Sequence, residues 1–258
     1  MVVGMAVVLK SDREIELIRQ GGRILAEVLQ KLVERIRPGL STAEIDRFVR
    51  EEFDRRGVRP SFLGYRGFPA AVCVSVNEEI VHGIPGRRVL EEGDIVSIDL
   101  GLIYKGYQAD AAVTVGVGRV SPEAERLIRT TEEALMAGIR AARAGARLGD
   151  VSWAIQSYAE NRGYSVVREY VGHGIGREMH EEPPVPNYGR PGTGLVLRKG
   201  MVLAIEPMLV IGDWRTRVLD DGWTVVTADG TLAAHAEHTV AITNGEAEIL
   251  TALDGARI

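Results

Sequence analysis

A chain that repeats its own pattern is constrained to fold into two comparable halves, and this one repeats itself at several separate places. Apolar residues Ile15, Ile18, Ile24, Leu25, Val28, Leu32 and Val33 fall at helical spacing, which predicts a helix over 12–36 broken at Pro38-Gly39. Ser41, with Glu44 three residues on, caps a second helix that stops at Arg56-Gly57. Much later, Ser121-Pro122-Glu123 opens a third helix ending at Ala144-Gly145, and a fourth runs from Asp150 to Arg162-Gly163. Gly39 to Gly57 and Gly145 to Gly163 are the same interval, 18 residues. Each helix pair leads into a stretch rich in Val, Ile and Gly that reads as strands.

The repetition extends to residues that can do chemistry. Val81-His82-Gly83-Ile84-Pro85 in the first half matches Gly172-His173-Gly174-Ile175-Gly176 in the second. Leu90-Glu91-Glu92-Gly93-Asp94-Ile95-Val96-Ser97-Ile98-Asp99 matches Leu197-Arg198-Lys199-Gly200-Met201-Val202-Leu203-Ala204-Ile205-Glu206, with leucine, glycine, isoleucine and a final acid in register. Four features aligned in one order argue against chance. The expectation is a single domain over 1–258, a pseudo-twofold α/β arrangement of two helix-helix-strand halves at about 12–118 and 121–250, with the site between them.

Composition narrows the function classes. With 258 residues, 45% hydrophobic and 26% charged, the chain can bury a substantial core. It holds no apolar run of the roughly 18 residues that span a bilayer, and its apolar opening Val2–Leu9 lacks the basic residues that precede a secretory signal. A single cysteine, Cys73, can form neither an internal disulfide nor a zinc finger. A net charge of −5 and a pI near 5.7 give no basic footprint for nucleic acid as a main partner. A cytoplasmic protein that engages neither membrane nor nucleic acid is expected.

Asp99 sits in the apolar run Ile95-Val96-Ser97-Ile98-Asp99-Leu100, where a charge is costly unless paired or bound to a cation. Asp110 follows after the turn-like Tyr104-Lys105-Gly106, so a hairpin carries one acid on each strand. A loop centred between Tyr104 and Lys105 makes the acids direct cross-strand neighbours; one centred on Lys105-Gly106 leaves them diagonal on one face. The second half supplies Glu206 and Glu237, 31 residues apart, also at apolar strands, so its hairpin is longer and decorated. All five histidines, His82, His173, His180, His235 and His238, lie in these stretches or beside them. His238 reads as a core residue, and His235 either adds a polar contact near the expected metals or simply faces solvent. Four carboxylates and one imidazole are too oxygen-rich for structural zinc, suit a pair of borderline or hard divalent ions, and point to hydrolysis.

The ordered set Asp99, Asp110, His173, Glu206 and Glu237, in Ser97-Ile98-Asp99, Ala109-Asp110, Gly172-His173-Gly174-Ile175-Gly176, Ile205-Glu206-Pro207-Met208 and Glu237-His238-Thr239, closely resembles the methionine aminopeptidases. Gly64-Tyr65-Arg66-Gly67-Phe68-Pro69, Val76-Asn77-Glu78 and His82-Gly83-Ile84-Pro85 extend the resemblance, which runs from about Glu14 to Thr251. The spacing of 31 between Glu206 and Glu237 leaves no room for the helical insertion of type II members, so type I is implied, and a single cysteine leaves no eukaryotic kind of N-terminal zinc-binding extension, which implies the bacterial form. The resemblance implies the pita-bread fold, an antiparallel curved sheet between the two halves, and removal of the initiator methionine from new proteins whose second residue is small.

By the same resemblance two divalent ions, Co, Mn, Fe or Zn, are held by Asp99, Asp110, His173, Glu206 and Glu237, with Asp110 and Glu237 shared. Glu206 also acts as general base toward the attacking water, His180 steadies the scissile carbonyl, and His82 contacts the leaving side of the peptide and assists proton transfer. Tyr65, Phe68, Cys73 and Trp223 line the methionine pocket, with Phe62 and Met179 nearby or simply in the core. Many type I members carry an aromatic residue at the position of Met179, and Gln followed by an aromatic where this chain has His235-Ala236. Transient contact with the ribosome and a monomeric state are further implications. Proline-specific peptidases of the same fold, prolidase or aminopeptidase P, share the five-ligand order but usually carry an additional N-terminal domain. A non-catalytic peptide-binding relative is disfavoured because every ligand and both auxiliary histidines are present.

Overall fold

The computed structural model describes residues 6–253; Val2–Met5 of the apolar opening lie outside that range. Among the described residues four α-helices, α1 (Asp12–Val33), α2 (Thr42–Arg56), α3 (Pro122–Ala141) and α4 (Leu148–Glu160), pack around antiparallel sheet. Their starts are set by side-chain caps: Ser11 with Glu14 and Ser41 with Glu44 are reciprocal capping boxes, and Ser121 accepts from the Ala124 amide. α4 begins two residues before the expected Asp150, because the Asp150 carboxylate reaches back to the Arg147 amide (2.7 Å). α1 and α3 each stop three residues short of expectation. After α1 the chain tightens to i−3 bonds, Arg35 amide to Leu32 carbonyl and Ile36 amide to Val33 carbonyl.

The two halves use the same devices at matching points. Gly39 and Gly145 take left-handed φ of 88° and 90° after the first helix of each half, a conformation glycine adopts without steric cost. The chain then makes a single bridge to the segment before the next long strand, Ser41 to Val89 in one half and Arg147 to Val196 in the other.

Among the described residues the main sheet has nine strands. Its central path runs Arg59–Pro60, Ile95–Tyr104, Tyr107–Gly116, Glu237–Ala241, Val202–Ile205, Gly172–Gly174 and Glu181–Val185. The halves meet where Tyr107–Gly116 pairs with Glu237–Ala241, at Glu237 to Ala112 and His238 to Ala111. One apolar cluster lies under α1, α2 and the first-half strands, and a second under α3, α4 and the second-half strands. A third, smaller cluster joins the halves, packing Ile80 and Val81 against Val167, Met208, Val210 and Val225.

Candidate functional site

The hairpin of the first half fixes its two aspartates. Its register pairs Tyr104 with Tyr107, Gly101 with Asp110 and Asp99 with Ala112, so the turn is centred on Lys105-Gly106 and the acids are diagonal on one face. The direct cross-strand pairing is excluded. Lys105 at φ 49° and Gly106 at φ 84° supply the two left-handed residues that a tight two-residue hairpin turn demands.

Across the seam, Ala112 is paired with Asp99 on one side and with Glu237 on the other. Asp99 and Glu237 thus stand in one row across three strands, with Asp110 two residues from Ala112 on the same face. Thr239 pins this junction: the Asp110 amide donates to its hydroxyl (3.0 Å), which donates to the Asp110 carbonyl (2.8 Å). Glu206 follows directly on Val202–Ile205, its carbonyl accepting from the buried Asn187 side chain (3.1 Å). His173 pairs with Ala204, which brings its Nε2 to 3.5 Å from Glu206.

Gly172 and Gly174 flank His173 because the backbone there leaves no room for a side chain. A Cβ on Gly174 would fall 2.2 Å from the Glu182 carbonyl oxygen, and one on Gly83, after His82, would fall 2.1 Å from that of Val74. Both halves thus seat a histidine by pressing the next residue onto a neighbouring strand.

Four carboxyl groups crowded away from water hold one another's protons. Burial pushes Asp99 up to about 7, and burial followed by repulsion from the neighbouring acids pushes Asp110, Glu206 and Glu237 well above the usual carboxylate range. Asp99 Oδ1, Asp110 Oδ1 and Glu237 Oε1 are buried with no hydrogen-bond partner in the chain. Asp110, His173 and Glu237 converge as one set of possible metal ligands, and Glu206, His235 and Glu237 as another. Unpartnered oxygens, surplus acid and an imidazole that burial holds down to about 3 are what a cation site needs.

One cavity is lined by all five expected ligands, by His82 and His180, and by Tyr65, Phe68, Cys73, Trp223, Phe62 and Met179. Tyr65 hydroxyl and His180 Nδ1 are 2.8 Å apart with their rings stacked, and the His180 and His173 rings lie 4.2 Å apart. Trp223 meets Phe68 edge-on at 5.1 Å and His82 at 6.2 Å. Burial lowers His82 to about 4, and burial and the nearby Arg66 lower His180, so both rings are neutral near pH 7. Burial and then Asp99, Asp110 and Glu237 push the Cys73 thiol up and keep it protonated.

The sequence reading missed Arg66 as a lining residue; it lies in a quoted motif, and its guanidinium sits 5.3 Å from the Tyr65 ring. Thr239 and Asn187 were also unassigned, although Thr239 belongs to the quoted Glu237-His238-Thr239. His238 is buried on the opposite face from Glu237, with Nδ1 2.9 Å from the Thr251 hydroxyl, a satisfied core residue as expected. His235 faces the acids and not solvent, with Nε2 3.7 Å from Glu206 and 3.9 Å from Glu237.

Residues 16–244 match the model of metallopeptidase family M24. A methionine aminopeptidase of Clostridium perfringens is 55% identical over 245 residues, covering 95% of this chain and 98% of that one. The chain belongs to family M24, among its methionine aminopeptidases. The M24 fold is equally plain in solved structures. The crystal structure of a methionine aminopeptidase from Thermotoga maritima superposes with a TM-score of 0.95 at 50% identity, covering 96% of this chain and all of that one. The prolidase from Pyrococcus furiosus is more distant, with a TM-score of 0.78 at 25% identity over 95% of this chain and 66% of that one. The pita-bread architecture is therefore common to this chain and both structures, while in sequence this chain sides with the methionine aminopeptidases.

Proposed function

We propose that this M24 metallopeptidase removes methionine from the N-termini of new polypeptides whose second residue is small. The observation that carries the reading is the joining, in one cavity, of a surplus-acid cluster to a small apolar pocket. Tyr65, Phe68 and Trp223, with the protonated Cys73, suit an unbranched, polarisable thioether side chain. Phe62 and Met179 complete the same wall.

Asp99 and Asp110 would hold one divalent ion, His173 and Glu206 a second, with Asp110 and Glu237 common to both. Bound ions of this kind supply Lewis acidity and activate water at neutral pH. Co, Mn, Fe and Zn divalent ions all fit a mixed carboxylate and imidazole set.

The chain's own groups then divide the proton work. Glu206, ionised when cations offset the repulsion among the acids, would take the proton of the attacking water as general base. The Tyr65 hydroxyl lies 2.8 Å from Nδ1 of the neutral His180; in the tautomer that accepts there, Nε2 carries the proton and would donate to the scissile carbonyl as charge develops on its oxygen. Neutral His82 presents a ring nitrogen to the N–H of the scissile amide and helps pass a proton to the departing amine. The site lies at the seam, and among the described residues no helix is long and apolar enough to cross a membrane. Action as a cytoplasmic monomer in transient contact with the ribosome follows from the family reading.

The test is a peptide panel, Met-Ala-Ser, Met-Lys-Ser, Leu-Ala-Ser and Ala-Pro-Ser, with chelator-treated protein and with added Mn, Co or Fe. Metal-dependent release of methionine from Met-Ala-Ser alone is expected. Preference for Ala-Pro-Ser would transfer the assignment to the proline-specific relatives, and no cleavage under any metal would favour a peptide-binding role.

A further inference from the structure

The imidazole of His235 has no work in the mechanism above, yet its position is tightly built. The residue is 1% exposed, and neither ring nitrogen has a hydrogen-bond partner in the chain. Native folds rarely leave a buried polar group in that condition without a use for it. Its backbone is held at both ends: the amide donates to the Thr114 hydroxyl (2.8 Å), and that hydroxyl donates to the His235 carbonyl (2.7 Å). Thr114 is braced in turn by Ser97 (2.7 Å). A ring carried on so fixed a strand is aimed.

It is aimed at the acids. Nε2 lies 3.7 Å from Glu206 Oε2 and 3.9 Å from Glu237 Oε2. These separations are too long for hydrogen bonds. They do fit donors that share one ion: atoms each about 2.1 Å from a cation lie roughly 3 to 4 Å apart, depending on the angle between them. His173 Nε2 approaches the other oxygen of the same carboxylate, Glu206 Oε1, at 3.5 Å, so the two rings reach Glu206 by different oxygens.

We propose that His235 Nε2 is a ligand of the ion held by His173, Glu206 and Glu237, giving that position two imidazoles. The proposal rests on the two-ion reading of the site. A second imidazole makes the set softer and moves its preference from Mn toward Co, Zn and Cu.

The experiment uses full-length, chelator-stripped protein in four forms: wild type, His235→Gln, His235→Asn and His173→Ala. Cu(II) is added at one and at two equivalents, and pulsed electron paramagnetic resonance counts the imidazoles coupled to it. Co(II) affinity is measured by competition with a chromophoric chelator. Two coupled imidazoles are expected in wild type and one in each folded variant, with Co(II) affinity about tenfold or more weaker in His235→Gln. Either His235 variant serves if the other fails to fold. A single imidazole in wild type, removed by His173→Ala and untouched at His235, overturns the proposal and leaves the metal site standing. Weaker Co(II) binding by His235→Gln with only one imidazole in wild type also overturns it, making His235 a positioning residue. No ion bound, or no imidazole coupling at all, sinks the metal-site reading itself.

Discussion

The two halves reach one site by different means. In the first, strands of ten residues, Ile95–Tyr104 and Tyr107–Gly116, are joined by Lys105-Gly106, so the positions of Asp99 and Asp110 follow from sheet register alone. In the second, Val202–Ile205 and Glu237–Ala241 are short, and the chain between them builds parts of two further three-stranded sheets. Glu206 and His235 therefore depend on tertiary partners, Asn187 and Thr114, for their setting. Counted back two residues from the second acid of each half, Asp110 and Glu237, His235 stands where the first half has Gln108. A tight hairpin makes ligand geometry inexpensive to specify, whereas a decorated one leaves freedom for added roles.

The largest expected effect tests whether the halves are equal partners. Glu206→Gln removes a ligand and the general base together, and kcat should fall by about a thousandfold or more at saturating metal. Asp99→Asn removes only a ligand, and excess metal should restore part of its activity. Equal and irreparable losses, measured as kcat against metal concentration, would break the asymmetry. Next in size, His180→Ala separates a second-half residue from its first-half partner Tyr65. It should cost about a hundredfold in kcat with metal affinity unchanged, read by turnover and calorimetry.

A smaller effect probes the acids of both halves jointly. In metal-free protein the folded state keeps Asp99, Asp110, Glu206 and Glu237 protonated at pH values where the unfolded chain has already released those protons. That contribution is complete below the unfolded carboxylate range and is lost as pH rises through about 7, the folded value of Asp99, and beyond. His82, His173 and His235, lowered to about 4, 3 and 3, act at lower pH, where the unfolded chain takes up protons they refuse. Between pH 6.5 and 8.5, then, Tm of the metal-free protein should fall with rising pH, while the metal-loaded protein should lose this dependence. A metal-free Tm that rises across that window would contradict the placement of the acids.

The smallest effect belongs to the first half alone. Lys105→Asn puts a residue that tolerates left-handed φ into the tight turn and should stabilise by about 0.5 kcal/mol, measured by denaturant unfolding, with no change in kcat.

Much of this was legible beforehand because its signals are local. Capping serines, turn glycines and acids on apolar strands each betray their setting within a few residues, and the repeat multiplied the evidence. The hairpin register was not legible, since lysine is no mark of a left-handed turn and only the paired strands show that Lys105 adopts one. The orientation of His235 was hidden for a different reason. It depends on a hydroxyl from Thr114, 121 residues earlier in the chain, and no local pattern carries that information. Arg66 was overlooked because a charged loop residue ordinarily reads as solvated surface.

The glycines after His82 and His173 have a consequence for heredity. Neither has a side chain with which to touch a substrate or an ion, yet any replacement must displace the strand that holds a working histidine. A survey of which mutations a living cell tolerates would score Gly83 and Gly174 as severely as the ligands near them. Anyone working from such a survey alone would credit chemistry to two positions whose whole contribution is to occupy no space.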